Sequence, residues 1–465
     1  MKKGIFYIIL MCATLGITSC SGTRNLAQPQ ADLPESFRPS LGNDSNSVAD
    51  IEWWKFYSDS TLCKMIERTL TFNRDFLKAG ATVEQLRQLY GIQKLNYTPD
   101  ITGNIYGNQE TNNYDGAGTT KDPEYGLKAS IAWEVNLWGA MTWSQREAKA
   151  KYMASVNDMR AMQMTLIAET ASAYFRLIAL DNELSIVRQT LITRSEALHQ
   201  AQLRFEGGLT SETVFQQAKV EYATTASLVP NLERQIVVAR NALSLLMGEF
   251  PAENLERGMM DVNLNLPDRL PAGIPSELLT RRPDLRASEQ RLKAAMANVG
   301  LTYADRFPTF RIGFTGGLEN NRMENFFKSP FTYVVGSITG TIFDFGKKKR
   351  KYQASIAAYE QARYSYEQSV MTAFHEVDNA IETCRRAHES AALKVDLRDA
   401  AAKYVQLALL QYRGGALSYI DVLDAQRRYF DAQIGVSNAV RDQYLALVNL
   451  YKVLGGGWSG DAVKL

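Results

Sequence analysis

Two aspartates near the C-terminal end of the chain carry the clearest chemical signal. Asp421 and Asp424 are three residues apart in a helix-forming stretch, so their carboxylates share one face of a helix. In a symmetric assembly of three chains, the pair would form two stacked rings of three carboxylates, a device for selecting cations and for gating. An internal repeat has Val214 and Gln217 at the same positions. The alternative is a solvated pair near a helix start, where acidic residues are favoured in any case.

The internal repeat covers most of the chain. Residues 133–248 reappear without a gap as residues 340–455, at the separation between Gly207 and Gly414. Farther upstream the offset grows by two residues, which predicts a loop in the turn-rich residues 110–123. Function must therefore be sought in a duplicated architecture.

Each copy is predicted to contain one long helix and two shorter ones. Residues 140–205 and 347–412 lack Pro and Gly and are rich in good helix formers, which predicts helices of about 66 residues, roughly 100 Å long. Double glycines end them, and Ser or Thr begins the returning helices. The shorter helices are predicted at residues 74–97, 211–247, 284–306 and 418–454.

Four stretches with alternating apolar and polar residues predict β-strands. They are residues 101–108, 127–138, 310–318 and 334–343. Their alternation, over about 10 residues each, is typical of transmembrane strands, and a chain without an apolar helix of about 20 residues can cross a membrane only as a closed sheet. Because four strands cannot close a barrel and about eight are needed, we expect three chains to supply a barrel of twelve strands.

The N-terminus predicts export and a lipid anchor. Lys2 and Lys3 precede a short apolar run that ends in Ile17-Thr18-Ser19-Cys20, the layout of a signal peptide with a lipidation site. Residues 1–19 are therefore predicted to be cleaved and Cys20 to be lipidated. The competing interpretation is an ordinary cleaved signal with an unrelated cysteine.

The composition argues against nucleic-acid binding and catalysis. The chain has 52 basic and 50 acidic residues, and removal of the signal segment takes away two lysines and no acid, which leaves a neutral protein. Its three histidines, in the predicted long helices, have no partners at metal-binding spacing. No nucleophile elbow, phosphate loop or zinc motif occurs. We therefore expect no enzyme, no metal and no nucleic-acid partner.

Five consecutive basic residues, 347–351, begin the second long helix. Positive charge at a helix start opposes the helix dipole. Two interpretations stay open, namely a solvated surface and a contact with lipid phosphates at the foot of the barrel.

Several motifs together resemble one known family, the TolC-type outer membrane efflux proteins of the lipoprotein branch. They are Cys20, Arg281-Arg282-Pro283-Asp284, Leu137-Trp-Gly, Asp344-Phe-Gly and Tyr412-Arg-Gly-Gly-Ala-Leu-Ser-Tyr-Ile-Asp-Val-Leu-Asp-Ala-Gln. The similarity covers nearly all of the mature chain.

The resemblance implies a fold, a role and partners. The fold class is an α+β membrane protein, a trimeric 12-stranded β-barrel continued by a long periplasmic α-helical barrel. The role is the exit duct of a tripartite efflux pump in the outer membrane of a Gram-negative-type bacterium. Its partners are a periplasmic adaptor, an inner-membrane RND-type pump and outer membrane lipid, with no cofactor beyond the lipid on Cys20.

The resemblance also implies roles for particular residues. Asp421, Asp424 and Tyr412 correspond to a periplasmic gate. The residues expected to contact the adaptor are Gly207, Gly208, Leu209, Thr210, Ser211, Gly414, Gly415, Ala416, Leu417 and Ser418. Some relatives carry a basic residue just after the tip glycine that locks the closed state, whereas this chain has Ala416 and Leu417.

Six segments are expected along the chain. They are a signal peptide (1–19), a lipidated segment (20–60), repeat 1 (61–248), an equatorial connection (249–280), repeat 2 (281–455) and a tail (456–465). Two alternative functions remain, a type I protein-secretion duct and a coiled-coil lipoprotein without a pore.

Overall fold

The structure is a computed structural model that describes residues 26–27, 29, 47–57, 59–116, 118–260 and 277–458. The predicted signal segment and the lipidation site Cys20 lie outside the described residues. Parts of the expected lipidated segment, equatorial connection and tail lie outside them as well. The expected segment boundaries stay a prediction.

The helices repeat with equal lengths in the two halves of the chain. In chain order they are α1 (Ser60–Phe72), α2 (Arg74–Leu95), α3 (Ala140–Glu206), α4 (Glu212–Leu246), α5 (Pro283–Ala304), α6 (Lys347–Arg413) and α7 (Tyr419–Val453). Short helical segments occur at Val48–Asp50, Trp53–Phe56, Leu278–Arg281 and Met323–Lys328. The long helices α3 and α6 have 67 residues each, and α4 and α7 have 35 each. The predicted duplication is confirmed.

Helix α1 is not among the helices that the sequence predicts. It begins because Asp59 accepts hydrogen bonds from the backbone N–H groups of Thr61 (2.8 Å) and Leu62 (3.3 Å). It ends at Asn73, whose side-chain oxygen in turn accepts from the N–H groups of the first turn of α2. No described helix combines the length and the apolarity that a membrane crossing requires.

The four strands form one antiparallel sheet in the order of the chain. They are β1 (Asp100–Tyr114), β2 (Gly118–Val135), β3 (Thr309–Asn320) and β4 (Pro330–Thr339). The register aligns Ile101, Ile131, Phe314 and Val334 in one row across the sheet, and all four side chains are exposed. The next row carries Ser130 and Thr315, whose hydroxyls are 2.9 Å apart. The alternation therefore gives the sheet one apolar and one polar face, as predicted.

Two strand boundaries differ from the prediction. The predicted loop at 110–123 is wrong, because β1 continues to Tyr114 and β2 starts at Gly118, so that only residues 115–117 separate the strands. Cross-strand pairing of the polar residues overrides their turn preference. Strand β4 ends at Thr339 and not at 343. Pairing stops there because Pro308 has no N–H group to donate and packs against Gly340.

The chain divides into two compact units. Of the described residues, the sheet unit holds those within Met1–Gln30, Thr82–Val156 and Ala287–Gln368, and the helical unit holds those within Ala31–Ala81, Asn157–Arg286 and Ser369–Leu465. The core of the sheet unit is small and includes Leu292, Val299 and Tyr359.

The helical unit has a larger core, with Tyr174 and Tyr451 among its fully buried side chains. Arg282 is buried in it and donates to the carboxylates of Asp284 (2.7 Å) and Glu376 (2.7 Å). Helix α5 begins next to this arginine, at Pro283, one residue before the predicted start.

Candidate functional site at the helix tips

Each long helix ends in the same backbone turn, which sets the geometry of the candidate site. The second glycine of each pair has a positive φ, +71° at Gly208 and +76° at Gly415. The residue after it donates its N–H back into the last turn, Leu209 to the oxygen of Arg204 (2.8 Å) and Ala416 to that of Gln411 (2.9 Å). The glycine caps predicted from the sequence are confirmed, and they create two helix tips of equal shape.

The two tips differ in how their apolar side chains pack. Leu209 at the first tip is 74 % exposed. Its counterpart in the repeat alignment is Ala416, and the leucine of the second tip, Leu417, lies one position later and is half-buried against a cluster that includes Ala408, Val422 and Ala425. The leucine is therefore exposed at the first tip and packed at the second.

Asp421 takes part in the start of α7. Its carboxylate accepts from the backbone N–H (3.1 Å) and the hydroxyl (2.6 Å) of Ser418, while Ser418 accepts from the N–H of Asp421 (3.4 Å). This capping box forms in repeat 2 only, because repeat 1 has Val214 at the same position and Ser211 makes no side-chain cap. Helix capping alone would therefore favour an acidic residue here.

Asp424 lies one turn farther along α7, as the spacing predicts. Its carboxylate accepts from the guanidinium of Arg428 at 2.8 Å, and both side chains are partly exposed. Because Ser418 and Arg428 belong to the same turn-and-helix segment, the two aspartates are held by partners on their own helix. Rings of three would require further chains.

Tyr412 contacts the other repeat. The guanidinium of Arg204, at the end of α3, donates to its hydroxyl at 2.8 Å. The ring of Tyr412 lies 5.6 Å from that of Tyr419. Burial, with a smaller contribution from Tyr412, raises the pKa of Tyr419. Tyr412 thus joins the end of one long helix to the end of the other.

A second link between the repeats is a charged network that sequence reasoning missed. Arg194 of α3 is 8 % exposed and pairs with Glu221 of α4 at 3.0 Å. It also donates to the backbone oxygen of Glu221 (3.0 Å) and to the hydroxyl of Thr225. Glu221 in turn pairs with Arg427 of α7 at 2.7 Å. Burial lowers the pKa of Arg194, and Glu221 partly offsets this effect.

The repeat alignment contained a signal for this network. The counterparts of Arg194, Glu221 and Thr225 in repeat 2 are Ala401, Arg428 and Ala432. Comparing charged positions between the copies would have singled them out, just as it singled out Asp421 and Asp424. The pairing of Glu221 with Arg427 could be identified only from the structure.

The site has no arrangement for metal-dependent chemistry. Within the described ranges, no group of three or more His, Cys, Asp or Glu side chains could hold a metal ion. A groove of about 450 Å³ lies beside the charged network, lined by one face of α4 and by Arg427. The arrangement is suited to holding helices together and to presenting charge.

Comparison with known proteins supports this interpretation along almost the whole chain. A family model described as outer membrane efflux protein matches twice, at residues 65–249 and 274–456. The solvent efflux pump outer membrane protein SrpC of Pseudomonas putida is 29 % identical over 465 residues, covering 98 % of this chain and 99 % of that protein. The probable outer membrane lipoprotein SilC of Salmonella typhimurium is 28 % identical over 452 residues, covering 93 % and 94 %.

The fold has equally clear matches. The open state of the Neisseria gonorrhoeae MtrE outer membrane channel superimposes with a TM-score of 0.81 at 28 % identity, covering 93 % of this chain and 97 % of that one. The predicted α+β fold class is confirmed, since solved structures of outer-membrane channels match the chain along most of its length. The chain belongs to the outer membrane efflux protein family, whose members are exit ducts of efflux pumps in the outer membrane and not enzymes.

Proposed function

We propose that three copies of this chain form the outer membrane duct of a tripartite efflux pump, which passively conducts small molecules to the exterior. A periplasmic adaptor and an inner-membrane RND-type pump would deliver the cargo and the energy. The duct itself would need no cofactor, and a lipid on Cys20 would anchor it.

The open sheet is the observation that carries the proposal. Within the described residues, β1 pairs only with β2 and β4 only with β3, so the sheet has two unpaired edges and an exposed apolar face. Unpaired edges seek other strands, and twelve strands from three chains would leave no edge. Each chain would also contribute two long helices of equal length, so that three chains form a wall with six similar parts.

The adaptor would bind at the helix tips, residues 207–211 and 414–418. Their common backbone turn means that six tips of a trimer would present the same shape. The exposed Leu209 offers an apolar contact that is repeated three times. These residues are the ones that the family resemblance implies.

The gate would consist of Asp421, Asp424 and Tyr412. Both aspartates have local partners, so they would move as a unit with α7 when the adaptor docks. The bonds that such a movement would break are those that connect the repeats, Arg204 with Tyr412 and Glu221 with Arg427. These links would take the place of the basic lock residue that this chain lacks after its tip glycine.

Deletion and complementation test the proposal. Cells that lack the chain should become hypersensitive to toxic small molecules, and the purified protein should have the mass of three chains. A Cys20→Ser variant should lose the acyl mass from its N-terminal peptide. Unchanged sensitivity together with retention of a normally secreted protein would favour the secretion duct instead. A monomeric mass in mild detergent would contradict the assembly.

A further inference from the structure

An exposed apolar hook follows the last strand of the sheet unit. Ile342 is 102 % exposed, Phe343 72 % and Phe345 83 %, although the two aromatic rings contact each other edge to face at 4.5 Å. Phe345 has a φ of +54°, a left-handed conformation that is unfavourable for a bulky residue. The fold therefore keeps three large apolar side chains exposed at the expense of backbone strain.

The basic run comes directly after this hook, in the first turns of α6. Lys347, Lys349 and Arg350 are exposed, and among the described residues they have no ion pair, whereas Lys351 pairs with Asp305 at 2.7 Å. The carboxylate of Asp344 accepts from two backbone N–H groups of the same turn, and these bonds lower the pKa of Asp344. One carboxylate cannot offset the other four cations of the run at the positive end of a helix dipole.

The equivalent junction of repeat 1 shows that the fold does not need these features. Residues 140–144, which open α3, carry no charge. The aromatic residue of that junction, Trp138, stacks on Phe307 with 4.8 Å between ring centroids and donates to the oxygen of Pro308 at 2.7 Å. A junction with the same backbone role can thus be neutral and have its aromatic ring partly covered, since Trp138 is 48 % exposed and Phe345 is 83 % exposed. The hook and the basic run serve something outside the chain.

We propose that residues 342–351 form a membrane-docking surface that binds the headgroups of anionic phospholipids. Apolar side chains would enter the lipid and the adjacent cations would contact the phosphates, an order of residues typical of a membrane interface. The inference rests on the proposed function, because that proposal places the sheet in a membrane. Charge complementarity selects an anionic lipid surface and not a zwitterionic one.

The N-terminal tether is consistent with the same location. Tyr359 of α6 donates to the backbone oxygen of Ala27 at 2.7 Å, and Leu26 packs on the same cluster. Tyr359 is twelve residues from Lys347, or roughly 18 Å along the helix. Cys20 precedes Leu26 by six residues, a span of at most about 20 Å. A lipid on Cys20 and the basic run can therefore reach the same leaflet.

Lipid retention by the full-length trimer tests the docking surface. The protein is reconstituted in vesicles of phosphatidylcholine and phosphatidylglycerol in equal amounts and re-extracted in mild detergent, and retained headgroups are identified by mass spectrometry. The test variant replaces Lys347, Lys348, Lys349 and Arg350 with Gln. The control replaces four exposed cations of the helical unit with Gln, namely Lys219, Arg234, Lys394 and Lys403.

We expect wild type and control to retain phosphatidylglycerol preferentially. In the test variant, the ratio of retained phosphatidylglycerol to retained phosphatidylcholine should be about tenfold lower. Thermal stability of the test variant should stay the same or rise, because the cations oppose the helix dipole. A test variant with the wild-type preference, or a control with the same loss, would overturn the proposal.

Two further measurements keep the proposal testable if the variant does not assemble. In wild type, salt at about 1 M shortens the screening length to about 3 Å and should abolish the preference. A preference that resists salt would also contradict the proposal. Conductance of wild type in phosphatidylcholine bilayers tests the duct separately, so that channel activity without a lipid preference refutes the docking surface alone.

Discussion

Removing the carboxylate of Glu221 should destabilise the helical unit more than removing the guanidinium of Arg194. The Glu221→Ala substitution leaves Arg194 buried without its ion-pair partner and near Arg427, with only the weaker influence of the Asp431 carboxylate to offset its charge. The Arg194→Ala substitution leaves Glu221 paired with Arg427, which is half-exposed. Removing one member of this ion pair should therefore lower the stability of the protein more than removing the other.

The magnitudes follow from burial and from the partners that remain. Breaking a buried pair from one side costs about 3–5 kcal/mol, and the lower end applies here because Arg194 keeps the Thr225 hydroxyl and a backbone oxygen as acceptors. Arg194→Ala should cost about 1–2 kcal/mol of lost hydrogen bonding and packing. The double variant should cost about as much as Arg194→Ala alone, since it leaves no buried charge unpaired and repeat 2 has the buried Ala401 at the position of Arg194.

The assay compares the apparent melting temperatures of wild type, both single variants and the double variant, in one detergent and at one scan rate. We expect Glu221→Ala to melt lowest and the double variant to recover part of the loss, a coupling of about 3 kcal/mol. Equal effects of the two single substitutions, or strict additivity in the double variant, would refute the assignment of a buried, charge-compensated network.

Two further predictions concern the backbone and the thiols. Gly248→Ala should lower the melting temperature more than Gly208→Ala. Both glycines have a positive φ, but only at Gly248 would the new Cβ collide with the backbone oxygen of Phe72. Equal losses of melting temperature in the two variants would contradict this. Burial raises the pKa of the Cys384 thiol to about 11, so this thiol stays protonated near neutral pH and is enclosed by the fold. Alkylation should therefore label the partly exposed Cys63 first, which peptide mass mapping can measure. Labelling of Cys384 at an equal rate in the folded protein would contradict its burial.

The two long helices could be predicted almost to the residue because their signals are local. Helix-forming composition and a glycine cap determine where α3 and α6 end, and neither depends on distant parts of the chain. Ser418 and Arg428, the partners of Asp421 and Asp424, lie three and four residues away along the chain. The assignment of the two aspartates to a gate stays a prediction.

Long-range pairing could not be predicted from these local signals. The hairpin across residues 110–123 forms because two polar strands pair, and β4 stops because Pro308 and Gly340 meet, which are both tertiary effects. The contact of Arg204 with Tyr412 joins residues 208 positions apart. Such a contact depends on how the helices pack, which a periodic pattern does not specify.

The central claim is that the carboxylates of Asp421 and Asp424 constrict the closed end of the duct. Substituting Asn removes their charge, while the amide oxygen at position 421 can still accept from Ser418, so helix capping is largely kept. An Arg428→Gln variant controls for the loss of the local ion pair.

Single-channel recording in planar bilayers is the direct measurement. The account predicts that the Asp421→Asn, Asp424→Asn double variant conducts more than wild type and discriminates less between cations and anions, whereas Arg428→Gln remains close to wild type. Wild-type conductance and ion selectivity in the double variant would show that the two aspartates only cap and solvate the start of α7.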